Sequence, residues 1–353
     1  MRSSRQVEGK IGRVGIREVA ATAGVSMTTV SNVLNRPHIV TPATRRRVEA
    51  AMDEVGYVRN GAARQLRGAP SRVVGCVVLD TANPFYSVLA RGAEDRVAEE
   101  GCVLVQCSTD VRPERETYFL GLLREQGVRG ILVNPVGAGL DHLVDIQRQG
   151  PRGMPLVLLD HPRGAAELCS VTVDNVRGGE LAARHLLGLG HRRLAFVRAT
   201  QPVRSVTDRA EGVRRALRTA GHDPARALVE VTTTQRSTEI DLIARQVVER
   251  LLAHAPRPTG VICFNDFTAL ALLRGMRQHG IEVPGEISVV GYDDIDFAAE
   301  LSPGLTTIRQ PTYALGRTAA GLLLSENQSG HRHREVVFQP ELVIRESTRR
   351  PPA

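Results

Sequence analysis

From Ile16 the chain reads IREVAATAGVSMTTVSNVLN, and its apolar residues recur at helical spacing. Ile16, Val19 and Ala20 share one helical face, and Ala23-Gly24-Val25 reads as a tight turn. Ser26 then offers its hydroxyl as an N-cap, and Val30, Val33 and Leu34 form the apolar face of a second helix. A third helix starts at Pro42, where a missing N–H costs nothing. It carries Val48, Ala51, Met52 and Val55 at i, i+3, i+4 and i+7. Three short helices with a glycine turn between the first two describe a helix-turn-helix unit over residues 15–58.

The next stretch, RNGAARQLRGAPSR (59–72), is polar and punctuated by Gly and Pro, and reads as a linker holding one short helix. From Val73 the period changes. The apolar runs VVGCVVLD, CVLVQCS, GILVNP, PLVLLD, SVTVD, LAFVR, GVICFND and ISVVGYDD alternate with helical segments. Repeated β-α units predict an α/β body of doubly wound parallel sheets with helices on both faces. Residues 73–349 are more than one such sheet needs, so two lobes are expected. They are placed at about 73–173 with 306–334, and about 174–305 with 335–349.

Charge adds the first functional indication. Residues 1–72 hold 13 Lys and Arg against 5 Asp and Glu, whereas residues 73–353 hold 33 of each sign. The whole net charge of +8 therefore sits on the helical headpiece and its tail. A basic module on a neutral body is the electrostatic footprint of nucleic-acid binding. A basic tail that merely solubilises is the plainer explanation for residues 1–14, but does not suit the patterned stretch after them. No run approaches the ~20 apolar residues of a membrane span. The opening MRSSRQVEGKIGRVG lacks a secretory apolar stretch, so a cytoplasmic protein without membrane partners is expected. The five cysteines lie in or beside apolar runs with no CxxC pair, and read as buried thiols, with no metal site.

On the second helix Thr28, Ser31 and Asn32 face away from Val30 and Val33, with Met27 at the leading end. Short polar side chains there can bond base edges in the major groove, although they could equally just keep the helix wet. The segment REVAATAGVSMTTVSNVLN and the TPATRRRVEAAMDEVGY helix resemble the headpiece of the lactose repressor/galactose repressor family. So do, in family order, NPFY (83–86), VDNVRGGELAARHLLGLGHRRLAFV (173–197), FNDFTAL (264–270), GYDDIDFA (291–298) and LTTIRQP (305–311). The similarity runs from about Gly15 to Arg345.

The resemblance implies a periplasmic-binding-protein-like body and base-reading roles for Met27, Thr28, Ser31 and Asn32. It also implies a hinge helix carrying Asn60, Arg64 and Leu66, with Leu66 as a minor-groove wedge and Arg64 and Arg67 on phosphates. Arg45–Arg47 are either phosphate contacts or a solvated helix face. Two departures stand out. Gly15 replaces the usual Thr cap, and Gly61 within the hinge costs about 1 kcal/mol relative to Ala, predicting a hinge that DNA must order.

Ligands of open α/β sheets bind beyond the carboxyl ends of the strands. Asp80, Asn134, Asp160, Asn265, Asp266 and Asp293 directly follow apolar runs, although each could simply cap the next helix. Clustered acids and amides suit a hydroxyl-rich ligand. The resemblance assigns effector contacts to Asn83, Phe85, Tyr86, Asp160, Arg209, Asn265, Asp293 and Gln310. It favours a sugar or sugar derivative, because nucleobase-responsive members lack the Asn of FND. Arg209 is expected to oppose Asp293 across the cleft, as an ion pair in the empty state or as a bidentate donor to ligand oxygens. Against that, the VRATQPVRSVTDR segment lacks the usual Gly-Pro and TTTQRSTEI has no aromatic lid.

An enzyme would need a nucleophile or metal motif, yet no GxSxG, HExxH or GxxxxGK[ST] occurs, Lys10 is the lone lysine, and no cofactor is implied. HRHR (331–334) reads as a loop before a last strand. A periplasmic binding protein would not need the basic headpiece. One recognition helix reads few base pairs, so a homodimer on palindromic operator DNA is expected. The terminal RESTRRPPA has no leucine heptads for a tetramer. The whole reads as a transcriptional repressor answering to a small-molecule effector.

Overall fold

The computed structural model describes residues 14–58, 68–137, 139–148, 153–234, 239–326, 328 and 330–352. The chain divides into two compact units, with the boundary between Pro70 and Ser71.

The first unit is the three-helix module: α1 (Ile16–Ala23), α2 (Met27–Asn35) and α3 (Pro42–Glu54). Its fully buried core is Val19, Ala20, Ala23, Val30, Val33, Val48 and Ala51, with Ile16, Leu34, Met52 and Tyr57 packed against it. Gly24 ends α1 at φ +60°, a left-handed conformation that glycine adopts without penalty. Its N–H and that of Val25 reach back to carbonyls of α1, which turns the chain sharply into α2. Ser26 Oγ then accepts from the Thr29 N–H at 3.1 Å, and Thr41 Oγ1 caps α3 by accepting from Thr44 N–H at 3.3 Å. The weak start foreseen at Gly15 is offset: Glu18 reaches back and accepts the Gly15 N–H at 2.9 Å.

The second unit holds two six-stranded sheets. The first contains β1 (Val73–Val78), β2 (Val103–Ser108), β3 (Ile131–Val133), β4 (Leu156–Leu159), β5 (Cys169–Val173) and β11 (Glu335–Phe338), in the order β11-β5-β4-β3-β1-β2. The second contains β6 (Leu194–Ala199), β7 (Leu228–Thr233), β8 (Gly260–Cys263), β9 (Ser288–Asp293), β10 (Thr306–Arg309) and β12 (Glu341–Val343), in the order β12-β10-β9-β8-β6-β7. All pairings are parallel except β10 with β12, an antiparallel edge on an otherwise parallel sheet.

Two lobes are present, but the expected boundaries need correction. β10 belongs to the second sheet and β11 to the first, so the chain crosses at 310–311 and 339–340 rather than near 305 and 334. Apolar runs announce strands; only backbone pairing, Thr306 with Val290 and Glu335 with Ser170, decides which sheet each joins. β7 was not among the expected strands because it alternates buried and exposed residues at a sheet edge.

Each lobe packs one helix pair through glycines. In the first lobe, α4 (Pro84–Ala98) meets the helix Thr312–Ser325, and a Cβ on Gly92 or Gly316 would overlap the Tyr313 or Leu89 carbonyl. In the second, the helix Asn175–Gly188 meets the helix Arg204–Thr219, with Gly179 against the Arg209 carbonyl and Gly212 against that of Val176. That backbone-to-backbone approach fixes where Asn175 and Arg209 can reach. All five cysteines are free, and all but the half-buried Cys107 are buried.

Candidate functional site

Strand ends from both lobes open into one cleft. Asp80, Asp160, Asn265 and Asp293 line it at the carboxyl ends of β1, β4, β8 and β9. Asn83, Phe85 and Tyr86 enter from the start of α4, and Val203, Ser205, Val206 and Arg209 from the helix Arg204–Thr219 and the residue before it. Of the eight expected effector residues, seven line this cleft. Gln310 is the exception: it stands behind Asp293, its Nε2 donating to Asp293 Oδ1 at 2.7 Å.

Arg209 is the organising cation. Its Nε donates to Asn175 Oδ1 at 2.9 Å and its Nη1 to the Phe264 carbonyl at 2.5 Å. The guanidinium lies 3.6 Å from the Tyr292 ring centroid, a cation–π contact strengthened by burial. Tyr292 Oη and Asn175 Nδ2 extend the network, donating to Asn175 Oδ1 at 3.2 Å and to Asp160 Oδ1 at 3.1 Å. Among the described residues Arg209 makes no ion pair within 4 Å, which corrects the direct Arg209–Asp293 pair and leaves the role of donor to ligand oxygens open. A carbonyl, an amide and an aromatic face hold the cation, and Asp293 is held by Gln310.

Burial drives the acid–base state of the cleft. Desolvation raises the carboxyls of Asp160 and Asp293, and the Arg209 charge only partly offsets it. Arg209 loses solvation too, but Tyr292, Asp293 and Asp160 outweigh that and keep it charged. Asp160 and Asp293 also hold left-handed φ values of +46° and +118°. Such backbone is rare for residues with a Cβ and concentrates at ligand sites.

Capping and cleft-lining turn out to be compatible. Asn265 Oδ1 accepts the Thr268 N–H at 2.8 Å, and Asn83 Oδ1 accepts the Phe85 N–H at 3.0 Å, while both side chains face the cleft. Two other strand-end residues do not line it. Asn134 Nδ2 donates to Tyr86 Oη at 3.3 Å, supporting the ring. Asp266 is wholly buried and accepts from Thr307 Oγ1 at 2.5 Å and Ile295 N–H at 3.0 Å, tying the β8, β9 and β10 ends together. Asn175, Ser205 and Tyr292 escaped the sequence reading. The only signal for Asn175 was the polar start of VDNVRGG, where Asp174 caps the helix from Arg177 N–H at 2.8 Å.

Desolvation pushes the Asp266 carboxyl up to about 7, against the opposing bonds from Thr307 and Ile295. An acid with a raised folded pKa holds a proton that the unfolded chain has released. Its contribution is therefore present below about pH 4 and is lost as pH rises toward 7. Asp266→Asn is expected to flatten that fall, measured by urea unfolding at pH 5 and 8. An unchanged pH slope would count against it.

On the first unit, Met27 is 58% exposed and Thr28 is exposed, while Ser31 and Asn32 are half-buried on the same side of α2. Asn35 Nδ2 donates to the Ser31 carbonyl at 2.9 Å and to Ser31 Oγ at 3.2 Å. Arg45 pairs with Glu49 at 2.7 Å, an exposed helix pair worth little. Arg46 and Arg47 are exposed. Asn60, Gly61, Arg64, Leu66 and Arg67 lie outside the described residues. No helix among the described residues is long and apolar enough to cross a membrane.

Comparison with known proteins now identifies the architecture. Residues 15–60 match the family described as bacterial regulatory proteins, lacI family, and residues 183–348 match the periplasmic binding protein-like domain. The HTH-type transcriptional repressor PurR of Aliivibrio salmonicida is 32% identical over 333 residues, 94% of this chain and 98% of that protein. The HTH-type transcriptional regulator DegA of Bacillus subtilis is 31% identical, over 94% of this chain and 97% of its own. Among solved structures, the lac repressor dimer bound to operator and the anti-inducer ONPF has a TM-score of 0.79 at 28% identity, covering 96% of this chain and all of that one. A LacI family transcriptional regulator from Enterococcus faecium with bound ribose has a TM-score of 0.71 at 32% identity, covering 79% of this chain and all of that one. The CelR–cellobiose complex has 0.68 at 31%, covering 95% of this chain and all of that one. A helix-turn-helix module, a two-lobed body with a polar cleft, and 32% identity to a repressor over nearly the whole length lead to one conclusion: this chain belongs to the lacI family, a DNA-binding transcriptional repressor and not an enzyme.

Proposed function

We propose that the chain binds a palindromic operator as a homodimer and that a saccharide or saccharide derivative in the cleft controls that binding. The observation that carries the effector class is the composition of the cleft. Asp160, Asp293, Asn265 and Arg209 offer acceptors and donors for hydroxyls, beside the Phe85 and Phe264 rings for an apolar sugar face. The ribose and cellobiose complexes among the structural neighbours support that reading. Two-fold symmetry follows from the short reach of one recognition helix, and the operator-bound lac repressor dimer supports it. On this reading Met27, Thr28, Ser31 and Asn32 meet base edges, and Asn60 and Arg64 meet the backbone beside Leu66.

A thermal-shift panel of pentoses, hexoses, disaccharides, sugar phosphates and nucleobases tests the effector class. A ligand at a hundredfold its Kd adds about 2.7 kcal/mol of apparent stability, a readily measured shift. Stabilisation by a saccharide with none from nucleobases is expected; the reverse pattern replaces the saccharide reading.

The wedge role of Leu66 makes a separate prediction. Leu66→Ala should weaken specific operator binding and reduce the DNA bend while leaving the melting curve unchanged. If Leu66 were a core residue instead, the same change would cost about 2–5 kcal/mol of stability. Melting and a bend-sensitive mobility assay on the one variant separate the two.

A further inference from the structure

Outside the effector cleft, the first lobe gathers four side chains of metal-ligating chemistry that the sequence separates widely. Cys169 opens β5, Glu326 follows the helix Thr312–Ser325, and His331 and His333 precede β11. The parallel pairing of Glu335 with Ser170 brings the two histidines onto the cysteine. Cys169 Sγ lies 3.3 Å from His331 Nε2 and 3.9 Å from His333 Nδ1. Glu326 Oε1 lies 3.2 Å from His331 Nε2 and 3.4 Å from His333 Nδ1. All four ligand atoms lie within 4.8 Å of one another.

We propose that Cys169, Glu326, His331 and His333 form a tetrahedral site for a divalent transition metal of the zinc class. Metal–ligand bonds of about 2.0–2.3 Å in a tetrahedron separate neighbouring ligand atoms by about 3.3–3.8 Å. The four distances, 3.2–3.9 Å, match that edge length. Thiolate, carboxylate and imidazole together suit zinc or cobalt rather than magnesium or calcium. One thiolate and one carboxylate with two neutral imidazoles cancel a +2 ion, so the loaded cluster is neutral where it is buried.

Two further features point to a ligand rather than to an internal hydrogen-bond cluster. The Glu326 side chain is only 5% exposed, and its buried Oε1 is faced by two imidazole nitrogens at 3.2 and 3.4 Å. A buried carboxylate oxygen in that position needs a cation beside it, which a metal ion held by the same two imidazoles supplies. The tautomer of His331 is also set from behind. Ser325 Oγ donates to the Leu322 carbonyl at 2.7 Å, so at 3.3 Å it accepts from His331 Nδ1. In the neutral ring that leaves the His331 Nε2 lone pair aimed at Cys169 and Glu326, the outer-shell arrangement that orients metal-binding histidines. A solvent-open crevice bordered by Met154, Glu167 and His333 gives an ion a way in. A bound ion would staple the end of the helix Thr312–Ser325 to the β5–β11 edge, just before the chain crosses to the second lobe.

Tag-free full-length protein, stripped by a chelator and titrated with Co²⁺, tests the site. One equivalent per chain is expected, with the strong visible bands of tetrahedral cobalt and a sulfur-to-cobalt charge-transfer band that Zn²⁺ then bleaches. Zn²⁺ should also raise the melting temperature. Cys169→Ser should abolish the charge-transfer band, and His333→Ala should weaken binding at least tenfold. The His333 side chain is 30% exposed, so that variant is the one to rely on if Cys169→Ser fails to fold. The weak spectrum of octahedral cobalt, or the same stoichiometry and spectrum in His333→Ala as in the parent, overturns the proposal.

Discussion

Asp293→Asn is expected to weaken effector binding about 10- to 1,000-fold while leaving the operator affinity of the effector-free protein unchanged. Asp293 ends β9 with its carboxyl in the cleft, buried and held from behind by Gln310 Nε2 at 2.7 Å. Asparagine keeps the shape and the Oδ1 acceptor for Gln310 but replaces the second carboxyl oxygen with an amide donor. A buried ligand hydroxyl deprived of its partner costs about 1.5–4 kcal/mol, which is that range of affinity. Asn265→Ala should act on binding in the same direction but also removes the cap on Thr268 N–H, a loss of about 1 kcal/mol in stability. Asn265→Ser separates the two roles, because serine caps well but cannot bridge two ligand hydroxyls. Calorimetric titration with the effector identified by the thermal-shift panel, alongside operator titration, reads both arms. Wild-type affinity in Asp293→Asn rules the carboxylate out as a ligand contact. Early melting in that variant, with the effector response retained, assigns it instead to holding the strand ends.

Deleting the first 70 residues is expected to remove operator binding altogether and to leave effector binding at its full-length value. Residues 1–72 carry the entire +8 net charge, and the body after them has 33 charges of each sign. Phosphate contacts by such charges supply most non-specific and much specific affinity, and the body has no net excess of them. The fragment Ser71–Ala353 is the second compact unit, with its own buried cores, so it should fold unaided. Fluorescence anisotropy with operator DNA at several salt concentrations measures the loss. Salt-sensitive operator binding retained by the fragment would place a DNA surface on the body.

The two predictions rest on parts of the molecule that were unequally legible in the sequence. The headpiece was read almost residue by residue, because caps, a left-handed glycine and apolar spacing act within a few positions. Ser26, Gly24 and Val30 do in the structure what their neighbours in the sequence imply. Continuous apolar runs likewise marked β1, β4, β8 and β9, since strands buried on both faces need them. The edge strand β7 alternates instead and was missed, and so was the short interior β10, whereas the edge strand β2 was read from its apolar run. The cleft residues at strand ends were visible for a similar reason: the polar residue ending an apolar run must face a crevice or cap a helix, and Asn265 does both.

What the sequence alone determined, then, is everything governed by short-range periodicity and charge: a basic helical headpiece, a two-lobed α/β body, and strand-end polar groups. Tertiary structure decided which strand joined which sheet, so that β10 and β11 exchanged lobes relative to expectation. It gave Arg209 to Asn175, Phe264 and Tyr292 rather than to Asp293, because glycine-mediated helix contact places Asn175 beside it. It also brought Cys169 beside His331 and His333, more than 160 positions away, through the register of β5 with β11. Such pairings depend on how backbones align across a sheet or between helices, a relation that no local spacing along the chain encodes.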